Sequence, residues 1–159
     1  MFTNCFLIKM DDRGTPTHVC LAMKKRGFGK GMWNGSGGKP KDDETVDAAA
    51  CREVQEELNI KVTKFEKRGE IIFVLIQENK KVLMHTFLVT DWEKKPVETE
   101  EMKPQWFPID NVPYTEMWAS DKEWLPIILS GKKIKAKYTY AYEGGEIKTR
   151  EIREVENFV

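Results

Sequence analysis

Apolar residues along this chain fall into two rhythms. From Phe2 to Met10, and again from His18 to Lys24, they crowd together around single polar positions, as β-strands do. Asp11 to Pro16 separates the two runs with Asp, Gly and Pro, so a hairpin is expected there. The rhythm then changes. Val46, Ala50, Val54 and Leu58 recur at steps of four, which lines one side of a helix. That helix is predicted over Thr45 to Leu58. Thr45 is placed to cap it, and Asp42, Asp43 and Glu44 suit the positive end of its dipole. Glu70 to Gln77 and Val82 to Thr90 read as strands about a turn at Glu78 to Lys81, after a strand or extended connection at Lys61 to Gly69. Gln105 to Pro108 is a short strand. A second helix is predicted over Ser120 to Ser130, capped by Ser120 or Asp121 and stopped by Gly131. Ile134 to Tyr142 and Glu146 to Val155 form a last hairpin around Glu143-Gly144-Gly145.

Composition narrows the possibilities. A length of 159 residues, with no repeat and no linker, suits one domain over 1–159 with a core of its own. Lys+Arg and Asp+Glu stand at 26 each, so there is no overall basic field for a nucleic acid polymer. An anionic ligand must be held locally or through a metal. The longest apolar run, Ile71 to Ile76, is too short to span a bilayer, and Met1 to Met10 lacks the pattern of a signal peptide. Three cysteines without a C-x-x-C pair point to reduced, buried thiols in a cytoplasmic protein.

Two stretches could carry chemistry. Lys24 to Lys39, KKRGFGKGMWNGSGGK, is rich in Gly and Lys but does not meet the G-x-x-x-x-G-K-[ST] phosphate loop. Its backbone N–H groups and lysines could hold phosphates, or it could be a plain basic loop. Phe28 and Trp33 fit either a core or a pocket wall, and Asn34 could offer an amide to a base. Asn4 interrupts the first strand, either as a solvated edge position or as a base-reading amide. On the helix, Glu56 and Glu57 flank Glu53 within an arc of roughly 100°. Glu57 lies at the border of the apolar stripe, so its carboxylate should be partly buried. A charge run ordinarily marks a solvated face. Clustered carboxylates with few other donors equally suit a hard divalent cation. His85 has no second His or Cys at ligand spacing and is expected to be structural.

The full spacing of Gly37 to Ile60, GGKPKDDETVDAAACREVQEELNI, resembles the Nudix box, G-x5-E-x7-R-E-U-x-E-E-x-G-U, where U is aliphatic. Gly38, Glu44, Arg52, Glu53, Val54, Glu56, Glu57 and Ile60 all match; Asn59 stands where the family has glycine. Asparagine is the next most tolerant residue in the left-handed conformation that ends such a helix. The flanks MKKRGFGKGMWNGSGGK, PVETEEMKPQWF and VPYTEMW…D…W resemble the MutT-homologue branch, which hydrolyses oxidised purine nucleoside triphosphates.

The resemblance implies an α+β fold, an α/β/α sandwich around a mixed β-sheet. It also implies Mg²⁺-dependent hydrolysis of triphosphates such as 8-oxo-dGTP to the monophosphate and pyrophosphate, with Mn²⁺ a substitute. By matching positions, Glu53, Glu56, Glu57 and Glu101 would hold metal together with a carbonyl of Gly37 or Gly38. Arg52 and Glu44 would pair to hold the helix against the loop, and Lys24 and Lys39 would meet phosphates. Asn4, Phe28, Asn34, Phe73, Trp118, Ser120 and Asp121 would surround the base. Ser120 replaces the first of two adjacent acidic residues in the human-type enzymes, which bears on substrate breadth and not on hydrolysis. The expected partner is a small nucleotide, with no nucleic acid polymer and no membrane, and the chain is expected to be a monomer. The alternatives are a Nudix hydrolase of dinucleoside polyphosphates or ADP-ribose, or a non-catalytic nucleotide sensor. A sensor would be expected to lose metal carboxylates, and all three are present.

Overall fold

The computed structural model describes residues 1–27 and 29–159. β1 (Phe2–Met10) and β2 (Pro16–Lys24) form the expected antiparallel hairpin, with a bulge at Lys9/Met10. Two residues of the glycine-rich stretch, Trp33–Asn34, pair with the end of β2 as β3. α1 follows at Val46–Leu58, then β4 (Lys61–Leu75), β5 (Lys80–Glu93) and β6 (Met102–Pro108). Two single 3-10 turns lead into α2 (Asp121–Leu129), and the chain ends with β7 (Lys133–Tyr140) and β8 (Ile147–Val155).

One mixed sheet organises these strands in the order β3-β2-β1-β5-β4-β7-β8, with β6 paired to β2. β1 runs parallel to β5 and β4 parallel to β7; the hairpin pairs are antiparallel. Each face carries its own core. On one, Ala50, Val54 and Leu58 of α1 meet Leu7, Phe87 and Val89 of the sheet. On the other, Trp124, Leu125 and Ile128 of α2 meet Phe6, Ile71 and Tyr138. Two helices on opposite faces of a mixed sheet give the α/β/α sandwich expected.

The helix termini follow local rules. Thr45 is the N-cap of α1, its hydroxyl accepting from Ala48 N at 3.1 Å. Asn59 ends α1 at φ 55°, ψ 44°, the left-handed conformation expected of it, and donates its N–H to Gln55 O. Ser120 differs from expectation. Its hydroxyl caps nothing, because the side chain is fully buried beside Tyr140, whose phenol oxygen accepts from Ser120 N at 3.1 Å. β4 is one strand from Lys61 onward, longer than its alternation suggested, because register shifts between Val62 and Gly69 interrupt the period of two. The three cysteines are free; Cys5 and Cys20 are buried and Cys51 only partly so. His85 is buried, and neither ring nitrogen has a hydrogen-bond partner. No helix among the described residues is long and apolar enough to cross a membrane.

Candidate active site

Gly37 passes so close to the β1 backbone that no side chain fits, and a side chain on Gly38 would have to push the Glu53 carboxyl aside. A Cβ on Gly37 would stand 2.0 Å from Thr3 O, and one on Gly38 2.5 Å from Glu53 Cδ. The absence of side chains therefore lets the Gly37-Gly38 backbone lie against β1 on one side and the α1 carboxylates on the other. Thr3 of β1 secures it: Thr3 N and Oγ1 both donate to Gly38 O, at 2.8 and 3.1 Å. Gly38 O is thus engaged with β1, whereas Gly37 O has no hydrogen-bond partner among the described residues.

Arg52 organises the acidic side of α1. Its Nε and Nη2 donate to the two oxygens of Glu44, at 2.7 and 2.9 Å, a bidentate pair. Nη1 donates to Glu53 Oε1 at 2.9 Å and Glu56 Oε2 at 3.3 Å, while Nη2 also reaches Lys39 O at 3.2 Å. One guanidinium thereby ties the loop before α1 to the helix and offsets the repulsion among its glutamates. The same contacts hold the Glu44 carboxyl down at about 2.

Glu57 is the unusual carboxyl. It is 6% exposed, and its Oε2 accepts from Gly37 N at 3.2 Å. Burial pushes its pKa up to about 8. The Gly37 hydrogen bond opposes that push; Glu53 and Glu101 add to it, and Lys24 pulls the other way. Glu101 comes from the loop before β6. Thr99 Oγ1 fixes this loop by donating to Glu57 O at 2.9 Å and accepting from Glu101 N and Met102 N. Lys25 pairs with Glu98 at 2.6 Å and Arg26 with Glu101 at 3.5 Å, which bind the loop to the glycine-rich stretch.

Among the described residues no three Asp, Glu, His or Cys side chains stand in an arrangement that could hold a metal ion. The donor set is nonetheless right in kind. It consists of hard carboxylate oxygens, a carbonyl at Gly37 without a partner among the described residues, and a carboxyl whose burial disfavours its charge. A divalent cation is the group that such a set accommodates.

A second feature lies beyond the glycine-rich loop. A cavity of about 370 Å³ is lined by Met32, Tyr114, Met117, Trp118, Tyr140 and Gly144, among others. Trp118 Nε1 donates to Asn34 Oδ1 at 3.0 Å, and Asn34 Nδ2 to Met32 O at 3.0 Å. A Cβ on Gly29 would meet Trp118, Asn34 and Lys24 within 4.0 Å, so this glycine marks where the cavity wall meets the lysine that faces Glu57. Asp121, 7% exposed, opens α2 next to Ser120, and burial lifts its pKa to about 7. The Trp124 indole favours its anion only weakly, because Nε1 makes no hydrogen bond of ordinary geometry.

The structure thus gathers Glu44, Arg52, Glu53, Glu56, Glu57, Glu101, Gly37, Gly38 and Lys24 at one place, and Asn34, Trp118 and Ser120 at or beside the cavity. Lys39 is exposed, with its carbonyl on Arg52. Asn4, Phe73 and Asp121 do not line the cavity: Asn4 donates to Met84 Sδ at 3.6 Å, and Phe73 stacks on Tyr138. Trp33 belongs to the core, edge-on to Phe107. Phe28 lies outside the described residues. Sequence reasoning missed Thr3, Thr99 and Tyr140. Tyr140 shares the inward face of β7 with Ile134, Ala136 and Tyr138, an alternation visible in the sequence; nothing local marks the two threonines.

A glycine cradle thus lies against a glutamate-bearing helix, on a mixed sheet between two helices. The chain belongs to the Nudix family: residues 3–127 match the family's NUDIX domain. It is 46% identical over 118 residues to a Danio rerio protein named oxidized purine nucleoside triphosphate hydrolase, covering 74% of this chain and 76% of that one. A Mus musculus protein of the same name is 38% identical over 143 residues, covering 90% and 91%. Among solved structures, a MutT protein from Bacillus halodurans superposes with a TM-score of 0.80 at 27% identity, over 95% of each chain.

Proposed function

We propose that this chain is a Mg²⁺-dependent hydrolase of oxidised purine nucleoside triphosphates, 8-oxo-dGTP among them, acting on the cytoplasmic nucleotide pool. The observation that carries the reading is Glu57: a buried carboxyl against the Gly37 backbone, with Glu53, Glu101 and Lys24 converging on it. The names of the two animal relatives supply the substrate class.

In the reaction, water's oxygen forms a bond to phosphorus as the anhydride bond between the α- and β-phosphates breaks, releasing monophosphate and pyrophosphate. Glu53, Glu56, Glu57, Glu101 and the Gly37 carbonyl are the groups that would hold Mg²⁺. When bound, the cation neutralises phosphate oxygens and orients the polyphosphate. Lys24 and Lys39 supply further positive charge toward the phosphates. Arg52 and Glu44 act as positioning residues, since their hydrogen bonds are spent on each other, on Lys39 O and on the neighbouring glutamates. Trp118 offers an aromatic face to the purine, and its hydrogen bond to Asn34 sets the ring's orientation. Asp121 is the one acid where a pair would stand, and it lies behind the cavity wall, next in sequence to the lining residue Lys122, so it would act on the base only by turning toward the cavity.

Turnover of 8-oxo-dGTP, 2-hydroxy-dATP, methylated purine triphosphates and dGTP, followed as pyrophosphate, and of ADP-ribose, followed as phosphomonoester, tests the reading. Oxidised triphosphates are expected to turn over fastest; cleavage of ADP-ribose alone, followed as phosphate released by phosphatase, would overturn the substrate assignment. Glu57→Gln is expected to lower kcat at least about a hundredfold. Unaltered turnover in that variant would remove the metal site.

A further inference from the structure

β8 ends the strand order and, among the described residues, pairs with β7 alone. Every residue from Lys148 to Glu154 is exposed. Beyond the β7 ladder, the backbone of 147–155 makes no hydrogen bond among the described residues. An open edge of this length invites another strand unless its charges repel one. Here they do not repel a second copy of the same strand.

Successive residues of a strand turn their N–H and C=O groups to opposite edges, so a symmetric antiparallel pair must place its twofold axis on a residue. Directly opposed side chains then share a face. An axis at Lys148, Arg150, Glu151, Arg153 or Glu154 sets a like charge on itself. One at Thr149 opposes Lys148 to Arg150, and one at Val155 opposes Glu154 to Glu156. An axis at Ile152 is free of such conflict. It sets Ile152 on Ile152, Glu151 on Arg153, Arg150 on Glu154, Thr149 on Val155 and Lys148 on Glu156.

Within the chain, Glu151 and Arg153 have no ion-pair partner among the described residues. Across the β7–β8 ladder Arg153 stands opposite Lys135, a like charge, and Glu151 opposite Lys137, with which it forms no salt bridge among the described residues. Arg150 and Glu154, on the other face, are paired with Glu123 and Lys132 at 2.8 Å each. The two unpaired ions of β8 are thus the ones that the Ile152 register brings together.

We propose that β8 is a self-pairing edge: two copies join antiparallel about a twofold axis at Ile152, extending the sheet across the dimer. The charge pattern replaces the expected monomer with a weak, concentration-dependent dimer, because a single strand pair buries little surface. The inference is independent of the proposed chemistry.

Sedimentation velocity from about 10 μM to about 1 mM tests it, with thermal unfolding as the check that each variant folds. The wild-type chain is expected to shift from monomer toward dimer mass over this range. Glu151→Arg alone and Arg153→Glu alone should each weaken association at least about tenfold, since each sets like charges together twice. The double variant Glu151→Arg/Arg153→Glu should recover dimerisation, as should an equimolar mixture of the two single variants. A wild-type chain that stays monomeric throughout, singles that associate like wild type, or a folded double variant that stays monomeric would each overturn the proposal.

Discussion

Asp121 keeps its proton to an unusually high pH because burial denies its anion water. The consequence for stability has a definite sign. The folded-state value of about 7 lies above the ordinary 3.8, so between these limits the folded chain holds a proton that the unfolded chain releases. The contribution is fully present below the unfolded value and is lost as pH rises to about 7, by up to about 4 kcal/mol. Urea unfolding at pH 4.5 and pH 7, with chelator present, should show this slope flattened in Asp121→Asn. Glu57, pushed up to about 8, adds a slope of the same sign, so the difference between variant and wild type isolates Asp121. A different residue-scale constraint operates at Gly38, where an added Cβ would meet the Glu53 carboxyl at 2.5 Å. Gly38→Ala is expected to displace Glu53 and lower kcat by about a hundredfold, measured on the best substrate of the panel.

At the scale of elements, α1 is defined by its two ends. Thr45 satisfies a free N–H at the start, and Asn59 turns left-handed at the finish, which delivers Ile60 into the core. The family's glycine at Asn59 would adopt that conformation with less strain. Asn59→Gly should therefore raise stability by about 0.5 kcal/mol, whereas Asn59→Ala should cost about 1 kcal/mol. Equilibrium unfolding checks both, and kcat should stay near wild type because Asn59 is exposed at the end of α1 and none of the side-chain hydrogen bonds of the carboxylates involves it. The strands show where element-level reading loses resolution. β4 shifts register three times between Val62 and Gly69, and each shift changes which residues face inward, so no single alternation runs its length.

On the scale of the molecule, the candidate site is assembled from parts far apart in sequence and pinned by a few polar contacts. Thr99 is the clearest of these, since one hydroxyl joins the end of α1 to the loop that carries Glu101. Thr99→Val should cost about 1–3 kcal/mol by leaving the Glu57 carbonyl and nearby amides unpaired. It should also raise the Mg²⁺ concentration needed for half-maximal turnover, as Glu101 is no longer held toward Glu57. Urea unfolding and a Mg²⁺ titration of turnover measure the two effects separately. A chain that loses stability while its Mg²⁺ requirement is unchanged would show that the loop holds structure alone.

Patterns of local spacing were enough to place the first hairpin, both helices and the last hairpin, because burial imposes periods of two and of about four wherever one face meets a core. The acidic ridge was legible for the same reason: Glu53, Glu56 and Glu57 lie within one turn, and Glu57 borders the buried stripe. Contacts between distant segments carry no such period. That Gly38 O binds Thr3, that Asn34 holds the Trp118 indole, and that the Ser120 hydroxyl caps nothing became visible only once β1, the glycine loop and β7 were laid beside one another. The shift of Glu57 likewise needs burial and the approach of Glu101, which the chain's order cannot express and the closed sandwich decides.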